Sequence, residues 1–139
     1  MPAVDLHSVE DFALLFLGRC FLIVGLGLLS GCGTQPELAV VQGQVHFRGQ
    51  PVNGGVIVFV PDTERGPPGN LALSELTAEG RFELKTKGQP GCRPGWHRIS
   101  IASGTTASEL PAKYRDPLLS GQEMEVKPGV INRCVIRLD

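Results

Sequence analysis

A chain of 139 residues has room for one domain, and 13 Lys+Arg against 14 Asp+Glu leave neither a basic excess for nucleic acid nor an acidic tail. Eighteen glycines and eleven prolines in a sequence that is 42% hydrophobic describe many short elements joined by turns. Four cysteines are present, but neither Cys92 nor Cys134 belongs to a C-x-x-C, which argues against a zinc site.

The first element is apolar. Residues 20–29 form a nearly uninterrupted hydrophobic run, too short to span a ~30 Å hydrocarbon core as a helix. Extending it back to Phe12 brings in Gly18 and Arg19, so a retained membrane anchor is the weaker alternative. The run ends in Leu29-Ser30-Gly31-Cys32, followed by the turn-rich Gly33-Thr34-Gln35-Pro36. These four residues resemble the lipobox of bacterial lipoproteins, in which the cysteine is lipidated and everything before it is removed. Asp5, Glu10 and Asp11 ahead of Arg19 depart from the usual positive start of a signal peptide. The resemblance implies that residues 1–31 are a signal peptide, that Cys32 carries lipid, and that residues 32–39 are a tether to a domain at 40–139. Each buried methylene contributes about 0.8 kcal/mol and one chain alone binds reversibly, whereas the triple acyl anchor implied here is effectively permanent. Gly33, rather than Asp, after the cysteine resembles the default for outer-membrane sorting, with the domain facing the periplasm. Seven residues from Gly33 to Ala39 reach at most about 25 Å.

The remaining 108 residues carry 12 basic and 11 acidic side chains. Alternation with a period of two starts at Gly43, with Val45 and Phe47 on one face and Gln44, His46 and Arg48 on the other. Gly49-Gln50-Pro51 turns the chain and Asn53-Gly54-Gly55 relaunches it. Residues 56–60, Val-Ile-Val-Phe-Val, are apolar on both faces, as in a central strand, and Pro61 stops them. After a loop at 62–70 come a strand at 71–77, a turn at Glu79-Gly80 and an alternating strand at 81–85. A second Pro/Gly loop covers 87–95. His97, Ile99 and Ile101 then share one strand face, with Trp96, Arg98 and Ser100 on the other. Residues 104–121 show no alternation, and strands at 124–126 and 131–138 close the domain. Seven short strands with regular turns predict an antiparallel β-sandwich with Val45, Phe47, Val58, Phe82, Leu84, Ile99 and Ile101 in its core.

Gly43-x-Val45, Gly49-x-Pro51-Val52, Gly54-Gly55-x-Ile57-x-Phe59-x-Pro61, Gly80-Arg81-Phe82-x-Leu84 and Pro94-Gly95 form an ordered series. It resembles the carboxypeptidase regulatory-like (transthyretin-like, prealbumin-like) domain of small bacterial lipoproteins. Leu110-Pro111-x-Lys113-Tyr114, Ser120, Val126, Gly129 and Asn132 are similar to the C-terminal part of those proteins. The resemblance covers about residues 40–138 and implies an Ig-like or transthyretin-like all-β fold. It departs from the family where His97 stands in place of an aromatic residue and where Glu79-Gly80 replaces Asp-Gly.

Chemistry is sparse. His46 and His97 lie fifty-one residues apart with no carboxylate at motif spacing, and no serine has a nucleophile-elbow context. Asp62/Glu64 and Glu123/Glu125 read as loop and strand-face charges. The glycine-rich loops lack the Lys-Ser/Thr of a phosphate cradle. No catalytic residue, metal ligand or cofactor is predicted. Cys20 lies in the leader and Cys32 is set aside for lipid. An oxidising periplasm therefore allows a Cys92–Cys134 disulfide, two separate buried thiols being the other arrangement. The expected function is a non-catalytic, membrane-anchored envelope module that binds or positions another protein, with a carbohydrate or cell-wall module as the alternative. A hydrolase like the transthyretin-related enzymes would need a His/Arg/Ser set that has no place here. Within 104–121, Tyr114 stands among Lys113, Arg115 and Asp116, a mixture suited to a contact surface. Trp96, Lys113, Tyr114 and Arg115 are the candidate contact residues. The competing reading has Leu110, Pro111 and Tyr114 plugging one end of the sandwich.

Overall fold

In the computed structural model, which describes residue 33, residues 36–102 and residues 109–139, every predicted strand forms. The signal segment and Cys32 lie outside the described residues. The seven predicted strands are β1 (Val41–Phe47), β3 (Val56–Pro61), β4 (Ala72–Glu75), β5 (Arg81–Glu83), β8 (Gly95–Ala102), β9 (Glu123–Val126) and β10 (Asn132–Leu138). Three two-residue strands add to these: β2 (Gln50–Pro51) and β7 (Gln89–Pro90) lie in stretches read as turn and loop, and β6 (Lys85–Thr86) begins on the last residue of the strand expected at 81–85.

Two sheets stack as a β-sandwich. One has β10 on one side of β1 and both β2 and β5 on the other; the second runs β7-β6-β4-β3-β8-β9. Among the described residues, all strand pairs are antiparallel but one. The first and last strands, β1 and β10, run parallel, with Val41 opposite Asn132 and Phe47 opposite Leu138. A parallel pair needs a long crossover, and here the rest of the domain supplies it.

The core follows strand parity. On β1, Val41 and Val45 are fully buried; on β8, His97, Ile99 and Ile101 are. On β3 the inward residues are Ile57 and Phe59, both 0% exposed, so Val58 is not a core residue as expected. It faces outward, half-buried, opposite Ser100. Phe59 joins the two layers, with its ring centroid 6.2 Å from Phe82 of the other sheet and 6.1 Å from His97. Phe47 is half-buried and packs against this cluster. Gly80 makes the turn into β5 at φ 72°, where a Cβ would stand 2.6 Å from the Val45 carbonyl, so only glycine fits.

The compact unit that holds both sheets runs Pro36–Asp139. Ala39, placed in the tether on sequence, is buried and exchanges main-chain hydrogen bonds with Cys92 at 2.8 Å each. We call the end of the sandwich at which this chain arrives the leading end, and the end where β1 and β10 finish the trailing end. The described part of the 104–121 stretch forms a 3₁₀ turn, Ala112–Arg115, flanked by buried Leu110 and Ser120.

Candidate functional site

The chain leaves β3 at Pro61 and is pulled at once toward β8: the Asp62 N–H donates to the Trp96 carbonyl at 2.9 Å. This places the Asp62 side chain, 2% exposed, under its own loop. A carboxylate so buried is costly unless it is fully paired. Three donors meet it: the Glu64 N–H at 3.0 Å, Arg65 Nε at 2.7 Å, and the Arg98 guanidinium, whose Nε lies 3.3 Å away. Arg65 also forks onto both oxygens of Glu123 on β9, and Arg98 onto Glu64. The hydrogen bond from Arg65 is the main reason the Asp62 carboxyl titrates at about 2, with Glu64 N–H and Arg98 adding to it. Arg65 likewise pulls Glu123 below the usual carboxylate range.

Trp96 joins this cluster through Arg65 and through its main-chain carbonyl, which accepts from Asp62. The Arg65 guanidinium carbon stands 4.2 Å from its ring centroid, within cation–π distance, and the tryptophan is half-buried on the outer face of β8. Salt bridges hold Arg65 in place from two sides, so aromatic and cation form a preset surface at the leading end.

A second constellation is internal. Cys92 Sγ lies 3.3 Å from His97 Nε2, and both residues are at most 1% exposed. His97 Nδ1 is 3.0 Å from the Gly95 carbonyl, which only accepts, so Nδ1 carries the proton and Nε2 accepts from the thiol. Burial pushes the Cys92 thiol up to about 12 and the imidazole below its ordinary 6.5. A nucleophilic cysteine needs the opposite shift. This pair therefore remains a neutral core contact at neutral pH.

Cys92 and Cys134 are both free, and the proposed disulfide is not formed. Cys134 flanks Gly43 on the β10 side of β1, whereas Cys92 flanks Ala39, four residues earlier, on the β5 side. Four residues of strand amount to about 13 Å, well beyond the ~7 Å Cα separation that a disulfide tolerates. Burial holds the Cys134 thiol up at about 11.

The four candidate contact residues do not share one surface. Tyr114 is 3% exposed, and its hydroxyl exchanges hydrogen bonds with the main chain of Asp139 at 3.1 Å, so it is a plug and not an anchor. Lys113 is exposed and folds back 4.7 Å over the tyrosine ring, and Arg115 is exposed beside it. The bond to Asp139 puts this group at the trailing end, whereas Trp96 is the second residue of β8, at the leading end. Sequence reasoning missed Arg65 and read Asp62 as an ordinary loop charge, because nothing in a Pro/Gly loop signals that it folds back over a tryptophan 31 residues after Arg65. Among the described residues, no three His, Cys, Asp or Glu side chains come together to hold a metal ion. No family model, curated protein or solved structure matches the chain.

Proposed function

We propose that the protein is a lipid-anchored, non-catalytic module of the bacterial cell envelope, of the carboxypeptidase regulatory-like kind, that binds or positions another protein through the Trp96 surface. Cys32 is its lipidation site and residues 1–31 its signal peptide. The observation that carries this reading is the clamp of Arg65 on Trp96. Tryptophan and arginine dominate binding energy at protein interfaces, and here both are ordered in advance by Asp62 and Glu123. Association then costs less side-chain entropy. The carbohydrate reading is less well supported, because a sugar platform needs an open ring face and Arg65 covers one. Cross-linked pull-down from native membranes tests the proposal. A partner retained by the unaltered protein and by Lys113→Ala should be lost with Trp96→Ala, whose melting temperature should stay near the parent's. Equal capture by Trp96→Ala would refute the contact surface.

A further inference from the structure

The leading end of the sandwich brings together features that lie far apart in sequence. Because β10 runs parallel to β1, its first residue also stands where the chain arrives: the Asn132 N–H donates to the Val40 carbonyl at 2.8 Å. The turn at 127–131 that feeds β10 is therefore beside the incoming chain. β5 runs antiparallel to β1 and ends here too. The β6–β7 hairpin that follows, with Lys87 at its tip, returns through Gly91 to Leu84 and through Cys92 to Ala39.

This end is apolar at its tip. Val130 and Ile131 are adjacent in sequence yet 54% and 56% exposed, and Leu71, beside Lys87, is 46% exposed. Exposed β-branched pairs in a turn are not a packing requirement, and this turn is held firmly in place. The buried Asn132 side chain accepts from Lys127 N–H at 2.8 Å and donates to the carbonyls of Lys127 and Val130 at 3.0 and 3.2 Å. Lys127, at the start of this turn, and Lys87, at the hairpin tip of the same end, carry long, exposed side chains that reach past apolar surface to water or phosphate.

We infer that this tip lies in the interfacial region of the bilayer, with Val130 and Ile131 among the upper acyl chains and Lys87 and Lys127 at the level of the lipid phosphates. The inference rests on the lipid-anchor reading. From Cys32 to Ala39, the first residue hydrogen-bonded into the sandwich, is seven residues, so a lipid on Cys32 keeps this end within about 25 Å of the membrane and nearer to it than the trailing end. Apolar side chains held at such a distance gain by entering the interface.

The test uses the full-length protein made in cells, labelled with palmitate and reconstituted into vesicles of phosphatidylethanolamine and phosphatidylglycerol, with and without brominated acyl chains. Val130→Trp and Ile131→Trp each add one fluorophore at the tip; Gln50→Trp adds one at the trailing end. Brominated lipid should remove at least half of the emission added at 130 or 131 and none of that added at 50. Absence of palmitate from the parent overturns the anchor, and the membrane contact with it. Palmitate present with no quenching at either tip position, or with equal quenching at position 50, overturns the contact alone.

Discussion

Gly43 is where a single methyl group should do the most damage to the β1–β10 pair. A Cβ built there stands 2.2 Å from the Cys134 carbonyl oxygen, with Cys134 Sγ and Phe82 Cζ both at 3.0 Å. Ordinary contact begins near 3.4 Å, so the shortfall against the carbonyl is about 1.2 Å. That oxygen belongs to the backbone of the neighbouring strand and has no rotamer to escape into. Gly43→Ala must therefore push β10 away from β1 or twist both. Overpacking of this kind costs about 1–3 kcal/mol, against which the gain from a stiffer unfolded chain is only about 0.4–1 kcal/mol. A net loss of about 1.3 kcal/mol is a sizeable fraction of the 5–15 kcal/mol typical of a domain, and corresponds to a drop in melting temperature of roughly 5–10 °C. Urea titration followed by far-UV circular dichroism measures it. If Gly43→Ala is as stable as the parent, the two strands are not held at this distance and the reasoning fails.

Stability should fall with acid in two stages. His97 is held below its ordinary 6.5 by burial, so the unfolded chain takes up that proton first and a first loss begins below 6.5; Asp62 is held at about 2 against 3.8, so its contribution is whole above 3.8 and drains away down to about 2. Urea midpoints against pH should show both stages, with His97→Phe removing only the first; a profile unchanged by His97→Phe counts against a buried neutral imidazole. Expressed alone as Pro36–Asp139, the domain should fold with a β-type far-UV spectrum, and its two thiols should resist a thiol reagent until urea is added, then react fully without reductant. Failure of either thiol to react in urea would restore the disulfide.

The strands were legible where one face is wet. In β1, β5 and β8 the polar residues mark the outward face, and the core positions Val45, Phe82, Leu84, Ile99 and Ile101 follow directly. In β3 the run Val-Ile-Val-Phe-Val has no polar residue to mark its parity, and Val58 was assigned inward where Ile57 and Phe59 in fact are. β2 and β7 lie in stretches rich in Gly, Pro, Gln and Lys, where turn chemistry hides a brief pairing such as Gln89 with Thr86. Tyr114 has the composition of a contact residue around it, and only the position of the chain end at Asp139 shows that its hydroxyl is used internally. The Asp62–Arg65–Trp96 cluster depends on how a loop folds over a distant strand, for which local sequence carries no period.

The pairing of the first strand with the last also orders assembly in time. Val41 meets Asn132 some ninety residues further on, so β1 lacks this neighbour until all the intervening strands have been made. Contacts this distant in sequence are slow to form because the chain must close a long loop before they reward it. The sheet of β3, β4, β8 and β9 involves shorter separations and can form first. Until β10 arrives, one edge of β1 remains an open template for foreign strands. Losing the last seven or eight residues would thus do more than trim a tail: it would leave the first strand permanently waiting for its partner.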